Sequence, residues 1–168
     1  NFWQARVLYS FNRVRFFDPA MQAAVLERTA LIEALRQGLA RQEFVLHYQV
    51  QVDRDGLATG AEALLRWNHA TRGMVSPDQF IPLAEETGLN LPLGRWVLHT
   101  ACAQLAAWAQ DLRTAKWSVA VNVSSLQFAQ PDFVDTVAQA LQQSGARPDL
   151  LKLELTESML ASDIEQVI

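Results

Sequence analysis

Three short apolar runs each carry one polar residue able to bind or move charge. Glu62 lies in Gly60-Ala61-Glu62-Ala63-Leu64-Leu65-Arg66-Trp67, Asn122 in Val119-Ala120-Val121-Asn122-Val123, and Glu154 in Leu151-Lys152-Leu153-Glu154-Leu155. A carboxylate removed from water is costly unless paired, protonated or metal-bound. Three oxygen donors from three successive strands read as one convergent site. Oxygen-only ligation suits hard cations such as Mg²⁺, Mn²⁺ or Ca²⁺ better than zinc. Plainer readings stand beside this one. Glu62 can pair with Arg66, four residues on along one strand face; Glu154 can pair with Lys152; Asn122 can be a satisfied core amide. Glu157 and Ser158 can simply cap the turn after a strand. His47 and His99 have no partner at ligand spacing, and His69 falls in a turn. Cys102 is the only cysteine and reads as a small core residue, which excludes an internal disulfide and a cysteine zinc cluster. Trp67, Trp96 and Trp108 read as packing.

The elements that must position these groups alternate. Asp18-Pro19 is a helix start, and Met21, Val25, Ile32, Leu35 and Leu39 continue at helical spacing, with Glu27, Arg28, Glu33 and Arg36 as a solvated face. Phe44, Leu46, Tyr48 and Val50 alternate as in a strand. Asp53-Arg54-Asp55-Gly56 is a turn, and the strand Gly60–Trp67 follows. So short a connection permits only an antiparallel hairpin. Ser76-Pro77-Asp78-Gln79 reads as a capping box opening a short helix that Gly88 closes. A longer amphipathic helix, the strand Val119–Val123, a helix from Phe133 to Gln143 and the strand Leu151–Leu155 complete the alternation, and Ser162-Asp163-Ile164-Glu165 reads as another capping box. Strands separated by helices imply βα units and parallel pairing for the later strands. The reading counts four strands.

The composition narrows the function. The chain has 168 residues, 50% hydrophobic and 19% charged, with a formal net charge of −4. This is globular composition. A mildly acidic chain lacks the basic footprint of a nucleic-acid binder, so an anionic substrate needs metal ions or a few placed arginines. The most apolar stretch, 89–109, is interrupted by Arg95, His99 and Gln104 and reads as a soluble helix rather than a membrane span. No signal peptide is visible at the N-terminus. A complete α/β barrel typically needs ~250 residues.

Five blocks in order carry a family resemblance: Tyr48-Gln49-Val50-Gln51; Glu62-Ala63-Leu64 with Leu65-Arg66-Trp67; Phe80-Ile81-Pro82-Leu83-Ala84-Glu85-Glu86; Val121-Asn122-Val123-Ser124; and Leu153-Glu154-Leu155-Thr156-Glu157-Ser158. From about Leu31 to Ile168 the chain resembles the EAL domain, the bacterial cyclic di-GMP phosphodiesterase family. The resemblance implies an α/β fold, the front half of a modified (β/α)₈ TIM-type barrel with an antiparallel first strand, preceded by a linker helix. It implies Mg²⁺- or Mn²⁺-dependent hydrolysis of cyclic di-GMP to pGpG. By resemblance Glu62, Asn122 and Glu154 are metal ligands and catalytic residues, while Gln49, Leu65 and Arg66 meet the substrate. The family usually has proline where Val50 stands. Its paired aspartates, its lysine and a later glutamate and glutamine belong beyond Ile168. The expectation is therefore an incomplete portion, inactive by itself, of a phosphodiesterase; the alternative is a catalytically inactive cyclic di-GMP receptor or interaction module. Residues 1–17 resemble the end of a GGDEF (diguanylate cyclase) domain, 18–30 a linker helix, and 31–168 the N-terminal part of the EAL domain. The same resemblance implies a cytoplasmic bacterial signalling protein with an upstream GGDEF or sensory domain, and allows a homodimer.

Overall fold

The computed structural model describes residues 19–155. The GGDEF-like segment, the Asp18 cap, Glu157, Ser158 and the 162–165 capping box lie outside the described residues.

Helix α1 (Pro19–Gly38) leads into strand β1 (Phe44–Val52), which turns into β2 (Ala58–His69). The turn is an Asx turn: Asp53 Oδ1 accepts the amides of Asp55 and Leu57 at 3.0 and 2.9 Å. The two strands pair antiparallel, as so short a loop requires, with Gln49 opposite Glu62 and Phe44 opposite Trp67. A three-residue strand, β3 (Gly73–Val75), folds back on the end of β2. Helices α2 (Pro77–Thr87) and α3 (Asn90–Trp108) follow, then β4 (Ser118–Val123), the short α4 (Ser125–Phe128), α5 (Phe133–Ser144) and β5 (Leu151–Leu155). The sheet order is β1-β2-β4-β5, with both later pairings parallel. Five strands stand among the described residues where the sequence pattern yields four. The fifth is β3, too short to leave a periodic signal.

Helix ends follow local chemistry, with one exchange. Gly88 and Gly145 close α2 and α5 in the left-handed conformation at φ 72° and 70°. Ser76 precedes α2 in extended backbone but makes no side-chain cap. The expected capping box there is absent; Pro77 at the first helical position removes one orphan N–H and already fixes φ. The reciprocal capping box forms instead between Ser124 and Gln127 at α4.

Strand alternation sorts the sheet into two faces. Ala63, Leu65, Val119, Val121 and Val123 face α3 and α5 and build one core with Leu98, Cys102 and Leu105. A second core joins α1, α2 and the α1-proximal end of the hairpin through Leu35, Phe44, Trp67, Phe80 and Leu83. Leu65 and Trp96 touch both cores. Phe44 stacks on the fully buried Trp67 with ring centroids 5.5 Å apart. The indole N–H of Trp67 donates to the buried Glu43 carboxylate at 3.0 Å. The charged face of α1 is solvated as expected, with ion pairs Arg28–Glu86 and Arg72–Glu27 tying it to α2 and to the loop before β3.

Candidate functional site

The register decides which polar residues can meet. Glu62 lies opposite Gln49 on one side and Ala120 on the other; Asn122, two residues past Ala120, lies opposite Glu154. Residues paired across a sheet share a face, and so do residues two apart in one strand. Gln49, Glu62, Arg66, Asn122 and Glu154 therefore project from the same face, away from the α3–α5 core. Five of the six residues singled out from the sequence thus share it. Leu65 does not. It points to the helix side and packs into both cores. The leucine between Glu62 and Arg66 on the site face is Leu64, opposite His47. Strict period-2 alternation from Glu62 carries the signal that finds it.

Asn122 Nδ2 donates to Glu62 Oε1 at 2.7 Å, bridging two parallel strands. Neither plainer pairing forms: among the described residues no ion pair joins Glu62 to Arg66 or Glu154 to Lys152. Arg66 Nη1 donates instead to the Leu65 carbonyl at 2.9 Å, which steadies the guanidinium without neutralising it. The three oxygen donors are less buried than their apolar neighbours imply. Glu62 is half-buried, and Asn122 and Glu154 are exposed. In β2 and β4 the runs look apolar because their alternate residues form the core, while the polar ones lie on the opposite side; in β5 only Leu151 packs against that core, and Leu153 and Leu155 are exposed.

The donor set is compatible with a hard cation. Glu62 and Glu154 offer carboxylate oxygens, and Asn122, its amide nitrogen committed to Glu62, keeps its carbonyl oxygen for ligation. Among the described residues no group of three or more His, Cys, Asp or Glu is gathered at one place. A cavity of about 180 Å³ opens where β2 and β4 meet α2 and α3, lined among others by Leu64, Leu65, Arg66, Asn90, Asn122 and Ser124; of the three donors only Asn122 lines it. Cys102 is no nucleophile for it: burial pushes its thiol up to about 11. His47, opposite Leu64 and two residues before Gln49, shares the site face; His69 lies in its own turn, where its Nδ1 receives the amides of Thr71 and Arg72.

A mixed sheet whose first strand runs antiparallel, with parallel strands carrying carboxylates and an arginine on the face away from α3 and α5, is the opening part of a TIM-type barrel. The chain belongs to the EAL domain family, whose model matches residues 32–168. It is 46% identical over 155 residues to the bifunctional diguanylate cyclase/cyclic di-GMP phosphodiesterase MucR of Pseudomonas aeruginosa, covering 92% of this chain and 22% of that protein. It is 37% identical over 149 residues to the cyclic di-GMP phosphodiesterase PdeR of Escherichia coli, covering 89% of this chain and 22% of that one. The solved MucR phosphodiesterase in complex with c-di-GMP superposes with a TM-score of 0.73 at 47% identity, over 76% of this chain and 52% of that chain. The EAL domain of Xanthomonas citri FimX in complex with c-diGMP gives 0.72 at 27%, over 86% and 55%. The chain thus spans about a fifth of these two curated relatives and about half of these two solved domains. No described helix is long and apolar enough to cross a membrane.

Proposed function

We propose that this chain forms part of a metal-dependent cyclic di-GMP phosphodiesterase site that opens the ring to pGpG. The observation that carries the reading is the 2.7 Å bond from Asn122 Nδ2 to Glu62 Oε1, made on the face that also bears Arg66 and Glu154. In this reading Glu62, Asn122 and Glu154 hold the cation, Mg²⁺ or Mn²⁺. Such a cation lowers the pKa of a bound water and offsets charge on the phosphoryl oxygens. Asn122 orients the Glu62 carboxylate through its amide. The Arg66 guanidinium, held by the Leu65 carbonyl and paired with no carboxylate among the described residues, binds a substrate phosphate. Gln49, opposite Glu62, donates to the ligand from the neighbouring strand. Leu65 packs into both cores and also lines the cavity next to Arg66, and so fixes Leu64 and Arg66 from the helix side.

The relatives named for diguanylate cyclase and phosphodiesterase activities support two further parts of the reading: cyclic di-GMP as substrate, and a GGDEF domain ahead of residue 18. The test is turnover of cyclic di-GMP by the full-length protein with Mn²⁺ or Mg²⁺, followed by chromatography of the product. pGpG that disappears on chelation and returns with metal is expected. Tight binding without any turnover would overturn hydrolysis in favour of a receptor.

A further inference from the structure

The turn that follows Asn122 is held from an unexpected quarter. Asn90, on the first turn of α3, is a buried amide at 7% exposure whose Nδ2 donates to Ser124 Oγ at 3.0 Å. Its Oδ1 has no partner among the described residues. A buried acceptor left unmet costs about 1–3 kcal/mol. Among the described residues, the one side-chain bond Asn90 makes is to the residue two beyond Asn122. Ser124 is tied in turn to Gln127: the Gln127 amide reaches Ser124 Oγ at 3.3 Å, and Gln127 Oε1 receives the Ser124 amide and hydroxyl at 3.2 and 3.1 Å.

Gly94 completes the arrangement. It lies four residues after Asn90, hence on the same face of α3. A Cβ there would stand 1.6 Å from Gln127 Nε2. Glycine inside a helix costs about 1 kcal/mol relative to alanine, so it needs a packing reason, and the Gln127 carboxamide is that reason. Asn90 grips one half of the Ser124–Gln127 capping box and Gly94 makes room for the other. Between Ser124 and Asn122 stands only Val123, which is fully buried.

We propose that Asn90 and Gly94 form a seat on α3 for the β4–α4 turn, and that this seat is a positioning device for the Asn122 carboxamide. With Ser124 clamped and Val123 buried, the end of β4 cannot twist, and the Asn122 side chain stays directed at Glu62. Released from the seat, the strand end turns and the 2.7 Å bond to Glu62 is lost. The catalytic part of this inference rests on the metal-dependent reading of the site; the positional part does not.

The experiment compares Gly94→Ala, Ser124→Ala and Ser124→Thr in the full-length protein. The first readout is the side-chain amide resonance of Asn122, which reports its bond to Glu62 without metal or substrate. The second is the Mn²⁺ concentration for half-maximal hydrolysis. Gly94→Ala and Ser124→Ala are expected to shift and broaden the Asn122 amide and to raise the Mn²⁺ requirement about tenfold, the low end for loss of a residue supporting a ligand. Ser124→Thr, which keeps the hydroxyl, restores both. A lowered melting temperature with the Asn122 resonance and the Mn²⁺ requirement unchanged means a merely structural cap and overturns the proposal. If the unmutated protein shows no hydrolysis, the functional reading fails, while the Asn122 resonance still decides the seat.

Discussion

Asn122 and Glu62 are joined at 2.7 Å although sixty residues separate them in the chain. The bond crosses from β4 to β2, strands that pair in parallel with Ala120 opposite Glu62. A carboxylate so held has one oxygen oriented by an amide and the other free. Glu62→Gln keeps the volume and the acceptor but removes the charge. We expect hydrolysis to fall by more than the ~10–100-fold typical of losing a residue that merely supports a metal ligand, with the melting temperature unchanged within a few degrees. Steady-state kinetics with saturating Mn²⁺, beside a thermal melt, checks this. Near-wild-type turnover in Glu62→Gln would remove Glu62 from the metal site.

The two leucines of the β2 strand should separate function from stability. Leu65 packs into both cores, so Leu65→Ala is expected to destabilise by about 2 kcal/mol, the low end for a half-buried leucine. Leu64 and Leu65 both line the cavity beside Arg66, but Leu64, opposite His47, projects from the site face and is absent from both cores. Leu64→Ala should raise KM for cyclic di-GMP several-fold and leave urea unfolding nearly unmoved. The reverse pattern would mean that the face assignment is wrong.

Glu43 and Trp67 form a buried polar contact inside an aromatic cluster, with the indole N–H donating at 3.0 Å. Glu43→Gln keeps an acceptor and should be close to neutral. Glu43→Ala leaves the N–H unmet and is expected to cost about 1–3 kcal/mol. Equal stability of the two variants in urea titrations would show that the bond contributes nothing.

Alkaline pH should weaken the fold through two named groups. Burial raises Cys102 from 9.0 to about 11 and Tyr48 from 10.0 to about 12. A raised value means that the folded state holds the proton more tightly than the unfolded one. The stability these groups contribute is therefore complete below pH 9 and is lost as pH rises toward 12. Tyr48→Phe retains the ring against Trp108, 5.2 Å between centroids, but lacks the titrating hydroxyl. Its urea midpoint should fall less between pH 9.5 and 11.5 than that of the unmutated protein. Parallel losses would exclude Tyr48 as a contributor.

The sequence exposed much of this because two periodicities are strong in it. The antiparallel hairpin followed from the short Asp53–Gly56 turn between two alternating runs. Parallel pairing of β4 and β5 followed from the helices between the strands. Glu62, Asn122 and Glu154 stood out because each interrupts valine, alanine or leucine. The same contrast implies burial, and there it misleads: in β2 and β4 the alternate residues on the other face do the packing. A motif read as a string does not separate Leu64 from Leu65, whereas the pleat puts Leu64 on the face of Glu62 and Arg66. The cap at Ser124 went unread although Ser124-x-x-Gln127 has capping-box spacing, since the following helix is only four residues long. The Asn90–Ser124 contact spans 34 residues and leaves no periodic trace.

The antiparallel course of β1 also fixes where the chain comes in. Phe44, the first residue of β1, lies opposite Trp67, and Val45 opposite Arg66, so the strand starts at the rim toward which β2, β4 and β5 all run. Gly38, the last residue of α1, stands within reach of Phe44 and Trp67 at that rim. Entrance and mouth therefore share one end of the sheet. Helix α1 thus joins the sheet beside the strand pair bearing Arg66; were β1 parallel to its neighbours, the whole nine-residue strand would lie between them.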